Sequence, residues 1–336
     1  MRTADFAYDL PADAIAQEPA EPRDSSRLLD CRDMTDHRFA ELPSLLDEGD
    51  LVVVNRTRVR RARLRGARQD TGGAVELLLL RRIGEVWSAL AKPSRRLRPG
   101  VAIEAGRLRV TVVGEPVDGV IDIELSTVDG TRVEEAIEEQ GEVPLPPYFS
   151  GTLSTPERYQ TIFAQNAASA AAPTAGLHFT ESVVSGLGDR GIAIAEVDLE
   201  VGLDTFRPMS TDDVADHEIH TERVEVSGSA RDAIAATRRR GGRVIAIGTT
   251  VVRALESSAA GLGQVSEFVG DTDLFITPGY EFRVVDGLIT NFHVPSSTLV
   301  VLVAAFMGEA WRQAYSEALA RGYRMLSFGD AMMVFR

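Results

Sequence analysis

Cysteine, lysine and long apolar runs are scarce in this chain, and each scarcity excludes something. Cys31 is the single cysteine, which rules out a disulfide framework and a thiolate metal cluster. The longest apolar stretch, Leu299–Met307, is far shorter than the ~20 residues a membrane-spanning helix needs. Met1–Leu10 is polar and acidic, without the basic start and apolar run of a secretory signal, so a cytoplasmic protein with no membrane contact is expected. Lys92 is the only lysine; every other basic residue is arginine, in a chain of formal net charge −14. An acidic average argues against general nucleic-acid binding. Arg56, Arg58, Arg60, Arg61, Arg63, Arg65 and Arg68 nevertheless crowd together, alternating with Val59, Ala62 and Leu64. That alternation reads as a strand with a solvated basic face, either a phosphate-binding strip or a charged edge strand.

With 336 residues, 44% of them hydrophobic, the chain can build one large domain or two ordinary ones. Leu51–Val54 reads as a short buried strand. From Arg61 to about Ser126, short β-like runs (Ala74–Leu80, Val86–Ala91, Val101–Glu104, Leu108–Val113, Val120–Leu125) are separated by Gly72-Gly73, Arg98-Pro99-Gly100 and Asp118-Gly119. This spacing predicts a small antiparallel β-barrel. Thr131 with Glu134 suggests a capped helix start, and Thr155-Pro156 a second one. Helices and strands then alternate: a helix after Thr180, a strand at Ile192–Leu199, a helix at Ser229–Arg240, a strand at Arg243–Ile247 and a helix at Thr250–Ser258. Asp273–Ile276 and Phe282–Val285 read as strands, and Ser296 as the cap of a long apolar helix. The expected architecture is an α/β main domain (residues 1–60 plus 148–336) with a mixed, barrel-like sheet, and an inserted β-barrel over residues 61–147.

Three segments set small residues, hydroxyls and one His or Arg between hydrophobic elements: Ala171–Thr180, Gly248–Arg253 and Thr290–Thr298. Such composition suits backbone approaching a polar ligand. Gly248-Thr249-Thr250 follows a strand and opens a helix, so free N–H groups and two hydroxyls favour an anion there, with Arg253 one turn on. It has neither the glycine spacing of a dinucleotide loop nor the lysine of a P-loop. His178 and His293 are candidates for proton transfer, or histidines tied to backbone carbonyls. Tyr280 can stack on a flat heterocycle or pack in the core; Asp330 can bind a base or ammonium, or simply lie in a loop. His217 and His220 share a helix spacing but have no third ligand at a standard distance, so no metal site is expected. The residues alone thus reach a metal-free, His-assisted small-molecule site between strand ends.

Ile15–Pro19, Arg23–Leu29, Pro144–Tyr148, Arg158–Thr161, Ala171–Thr180, Gly248–Glu256, Pro278–Tyr280, Thr290–Thr298 and Gly329–Met332 resemble, in order along the whole chain, the S-adenosylmethionine:tRNA ribosyltransferase-isomerase family of queuosine biosynthesis. The resemblance implies an α/β domain with an inserted β-barrel. It also implies transfer of the ribosyl part of S-adenosylmethionine to the 7-aminomethyl-7-deazaguanine at the tRNA wobble position, giving epoxyqueuosine and releasing adenine and methionine. S-adenosylmethionine is then a co-substrate, no further cofactor is expected, and tRNA carrying the deazaguanine precursor is the partner of a monomeric enzyme. Under this reading His178 or His293 moves the proton, and Thr174, Gly248, Thr249, Thr250, Arg253, Tyr280, Asn291 and Asp330 hold substrate. Arg58, Arg60 and Arg61 are the candidate tRNA contacts.

Three positions depart from the family pattern: Arg56 where Asp is usual, Glu200 for a His, and Asp204 for a Gly. They leave open a relative that uses S-adenosylmethionine or a related nucleoside on another acceptor, and a noncatalytic tRNA-binding module.

Overall fold

A computed structural model describes residues 1–336 apart from 151, 152, 154, 203–206 and 260–262. Its strands are β1 (Arg27–Asp30), β2 (Thr35–Arg38), β3 (Leu51–Asn55), β4 (Thr57–Val59), β5 (Arg63–Arg68), β6 (Ala74–Ile83), β7 (Val86–Lys92), β8 (Ala102–Ala105), β9 (Leu108–Val112), β10 (Val120–Thr127), β11 (Asn166–Ser169), β12 (Ala193–Leu199), β13 (Glu222–Val226), β14 (Val244–Ile247), β15 (Phe268–Thr272), β16 (Gly287–Asn291) and β17 (Ala331–Phe335). The α-helices are α1 (Leu42–Leu45), α2 (Val133–Gln140), α3 (Glu181–Asp189), α4 (Gly228–Arg239), α5 (Thr249–Ser258), α6 (Thr298–Met307) and α7 (Ala310–Ala320). Two compact units result, Met1–Arg58 with Pro146–Arg336, and Val59–Leu145.

The larger unit is built on a nine-stranded sheet in the order β15-β13-β12-β3-β14-β16-β17-β1-β2. Its central strands β12, β3, β14 and β16 are parallel, and β17 runs antiparallel to β16. Central parallel strands are covered on both faces and therefore read as continuous apolar runs. Leu51–Val54 and Val244–Ile247 do so, and all of these residues are buried. The expected mixed sheet is present, and among the described residues its order runs from β15 at one end to β2 at the other. The smaller unit closes on itself, its six strands forming the barrel β10-β7-β6-β5-β8-β9. There Leu108, Val110 and Val112 point inward while Arg109 faces out, the period of two that marks a strand with one buried face.

Helix starts follow local chemistry where a hydroxyl is free to cap. Thr180 accepts from Val183 N–H, and Ser227 from Ala230 N–H, at the heads of α3 and α4. Ser297, not Ser296, caps α6 by accepting from Val300 N–H. Other expected elements do not form. Thr131 does not open α2, which starts at Val133; its hydroxyl instead accepts from the Arg107 guanidinium at 2.8 Å. Thr155-Pro156 opens only a four-residue 3-10 turn, Pro156–Tyr159. The strands expected at Asp273–Ile276 and Phe282–Val285 are absent. The buried Glu256 carboxylate on α5 accepts from the N–H groups of Arg283, Val284 and Val285 at 2.9, 3.0 and 3.1 Å, so these donors serve a side chain rather than a ladder. His217 and His220 lie on no helix. Among the described residues, no helix is long and apolar enough to cross a membrane, and no group of three or more His, Cys, Asp and Glu side chains is placed to hold a metal ion.

Candidate active site at the carboxyl ends of the central strands

Parallel strands place their carboxyl ends on one edge of a sheet, where ligands of open α/β folds bind. β14 ends at Ile247 and the parallel β16 ends at Asn291, so Gly248-Thr249-Thr250 and Asn291–His293 leave the same edge. Gly248 N–H donates to the Ile289 carbonyl at 2.8 Å, and fixes the offset between them. Gly248 has φ of 91°, which a side chain would strain. A Cβ there would stand 3.5 Å from the Ala175 methyl, an ordinary contact, so backbone conformation rather than space calls for glycine. The antiparallel β17 and its parallel partner β1 begin at this edge too, bringing Ser26 and Asp330 near it. The turn Thr174–His178 packs over the strand ends.

Two adjoining crevices open there. The larger is lined by Thr174, Ala175, Val201, Gly248, Thr249, Thr250, Thr290 and His293, among others. The second is lined by Tyr148, Asn291 and Ser327, and shares Thr174, His293 and Leu299 with the first. All three dispersed segments therefore meet at one place. Thr290 and Ser26 were missed as site residues although both fall inside recognised segments; Tyr8 and Tyr315, which hold the His293 backbone, carry no local signal.

The polar wiring is continuous. Thr174 Oγ1 donates to Asn291 Oδ1 at 3.0 Å. Asn291 Nδ2 faces the carbonyls of Leu326 (3.2 Å) and Asp330 (3.5 Å), two acceptors that fix which end of the amide carries hydrogen. The same nitrogen lies 3.2 Å from His178 Nε2, which must therefore accept. His178 Nδ1 then carries the proton and donates to Ser26 Oγ at 2.8 Å. Burial, reinforced by Arg324 and Arg23, pushes His178 down to about 3, and its ring stacks on Phe39. His178 is thus a neutral strut behind Asn291 and lines neither crevice; its expected direct proton transfer has no open ring nitrogen to use. His293 does line both crevices. Its Nε2 lies 3.0 Å from Thr290 Oγ1, and burial lowers it to about 3, so it is neutral as well.

Three other expected ligands are spent inside the protein. Arg253 is buried and forms an ion pair with the buried Glu222, also donating to the carbonyls of Leu274 (3.0 Å) and Thr272 (3.5 Å). It turns from the helix start it was expected to assist because a buried carboxylate demands a partner. Glu222 in turn accepts from Gly202 N–H at 3.1 Å. Asp330 accepts from the N–H groups of Arg27 (2.9 Å) and Arg324 (2.8 Å), tying two loops rather than facing a ligand. Tyr280 is half-buried, with its hydroxyl on Glu256 and its ring edge-on to Phe282, away from the stacking role. The basic strip is not a bare cationic face: Arg56 pairs with Asp198, Arg58 with Glu157, Arg61 with Glu138, Arg63 with Glu76, Arg65 with Glu142 and Arg68 with Asp70. Arg60 donates to the Leu80 carbonyl and lies over the Trp87 ring. Of the three divergent positions, Arg56 is one of these pairs, Glu200 donates its N–H to the Arg223 carbonyl at 2.9 Å, and Asp204 lies outside the described residues.

Strand-end crevices with a helix N-terminus, hydroxyls and a neutral imidazole define an α/β protein with a small-molecule site, carrying a separate β-barrel unit. The chain belongs to the family described as queuosine biosynthesis protein, whose model matches residues 3–334. It is 48% identical to the S-adenosylmethionine:tRNA ribosyltransferase-isomerase of Symbiobacterium thermophilum, over 99% of this chain and 100% of that one. The protein of that name from Heliobacterium modesticaldum is also 48% identical, with the same coverage. A crystal structure of S-adenosylmethionine tRNA ribosyltransferase from Thermotoga maritima matches with a TM-score of 0.56 and 35% identity, covering 98% of this chain and 99% of that chain.

Proposed function

We propose that this protein transfers the ribosyl part of S-adenosylmethionine to the aminomethyl group of 7-aminomethyl-7-deazaguanine at the tRNA wobble position. The ribosyl unit isomerises to an epoxycyclopentanediol, giving epoxyqueuosine, and adenine and methionine depart. The observation that carries this reading is the meeting of Thr174, Gly248–Thr250 and Thr290–His293 around one crevice, in a chain collinear with enzymes of that name.

The chemistry matches the groups on the crevice wall. A sulfonium acidifies the neighbouring ribose carbon, so a positioned base can begin the rearrangement. His293, neutral and on the wall of both crevices, is the proton acceptor in this proposal. Asn291 and Thr174 position the substrate, and His178 holds Asn291. No cofactor beyond the co-substrate is invoked. Arg58 and Arg61 pair with exposed carboxylates, and such pairs are worth only about 0–1 kcal/mol, so each can exchange its partner for a tRNA phosphate at little cost.

The test is mass spectrometry of nucleosides from precursor-bearing tRNA incubated with the protein and S-adenosylmethionine. Epoxyqueuosine with one adenine released per product is expected. Adenine release without precursor tRNA would point to another acceptor, and tRNA binding with no adenine release to a noncatalytic binder.

A further inference from the structure

The first N–H groups of a helix find no partner within it. At α5, Val251 and Val252 already bond back to the Gly248 carbonyl, which leaves the N–H groups of Thr249 and Thr250 outside the helical ladder. Independently, Thr250 is buried, lines the larger crevice, and its Oγ1 has no hydrogen-bond partner among the described residues. A buried hydroxyl left without a partner costs free energy unless a ligand supplies one. Three donors outside the helical ladder therefore stand on neighbouring residues of the crevice wall.

Two anions are available in the proposed reaction, a carboxylate and the tRNA phosphates. Arg253, the cation nearest in sequence, is committed to Glu222 and brings no charge here. Besides Thr174, Thr290 and the neutral His293, the crevice wall consists of small or apolar side chains such as Ala172, Ala175, Val201 and Leu299. A backbone phosphate needs room for chain on both sides, whereas a carboxylate is a terminal group. Across from the helix start, Thr174 gives its proton to Asn291, so its oxygen presents lone pairs and can accept from a cation.

We infer that this end of the crevice binds the α-amino-acid head of S-adenosylmethionine, with the carboxylate on Thr250 Oγ1 and the Thr249 and Thr250 N–H groups, and the ammonium on Thr174 Oγ1. The inference rests on the function proposed above. Apolar walls then flank the methylene chain that leads to the sulfonium.

The test is calorimetric titration of the full chain, in the presence of tRNA lacking the precursor, with three ligands: S-adenosylmethionine, its decarboxylated analogue and 5′-methylthioadenosine. Thr250→Val, nearly the same shape, should weaken S-adenosylmethionine binding by about tenfold or more, as expected for a lost hydrogen bond to a charged group. The other two ligands should keep their affinity within about twofold on the same principle, and Thr250→Ser should restore binding. Unfolding curves check that both variants fold. Native binding of S-adenosylmethionine that Thr250→Val leaves unchanged overturns the subsite alone. So does an equal loss for all three ligands, or a loss of tRNA affinity alone. Failure of the native protein to bind S-adenosylmethionine at all would remove the proposed function and the subsite with it.

Discussion

The Thr174 hydroxyl donates to Oδ1 of Asn291 at 3.0 Å, joining positions 117 residues apart. That bond sets the polarity of the crevice wall, because Asn291 turns its amide nitrogen toward the Leu326 and Asp330 carbonyls and His178. Asn291→Leu would strand several buried polar groups, each costing about 1–3 kcal/mol, so a loss of about 3 kcal/mol or more is expected in urea unfolding. A cycle with Thr174→Val should show a coupling of about 0.5 kcal/mol or more, and additive losses would mean that the two side chains act independently.

His178 and His293 both stay neutral in the fold, each lowered to about 3 mainly by burial. The unfolded chain protonates its histidines near pH 6.5, so below that pH it takes up protons the native state refuses. Stability from these two groups is complete above about pH 6.5 and falls as the pH drops toward 3, by about 1.4 kcal/mol per pH unit for each histidine. Denaturation midpoints between pH 7 and 5 should record this slope. His178→Gln should make it shallower by one histidine's share; an unaltered slope would contradict the neutral assignment.

Arg253 and Glu222 are both buried and paired. Arg253→Leu leaves the Glu222 carboxylate uncompensated and should cost about 3–5 kcal/mol, much of which Arg253→Leu with Glu222→Leu should recover. Because Arg253 faces Glu222 rather than the crevice, the affinity of the double variant for S-adenosylmethionine should stay near native. A specific loss of ligand binding in a stably folded double variant would return Arg253 to the substrate site.

The arginines of the strip should divide by their partners. Arg58→Ala and Arg61→Ala should each lower the slope of log affinity for tRNA against log salt by about 1, the signature of one lost phosphate contact. Arg60 is engaged with the Leu80 carbonyl and the Trp87 ring, so Arg60→Ala should reduce barrel stability instead. Unchanged slopes for Arg58→Ala and Arg61→Ala would take both residues out of tRNA docking.

Much of the fold was legible because it depends on neighbours in sequence. The apolar runs Leu51–Val54 and Val244–Ile247 become central strands, and Thr180 heads a helix because its own oxygen meets Val183 N–H three residues on. The alternation in β9 defines a barrel strand for the same reason. The three hydroxyl-rich segments were also visible as segments, since their composition suits a strand-end turn.

Tertiary structure decided which members of those segments face a ligand. A buried charge or amide takes whatever partner the fold brings to it, and that partner is usually distant in sequence. Arg253 goes to Glu222, Asp330 to the Arg27 and Arg324 backbone, Glu256 to the 283–285 backbone, and His178 to Ser26 and Asn291. Sequence by itself determined the central apolar strands, the Thr180 cap and the segments of the site; long-range pairing decided that Thr174, Thr250 and His293 line the crevice while Arg253, Tyr280 and Asp330 do not, because local pattern encodes conformation and the choice of a polar partner depends on what packs against it.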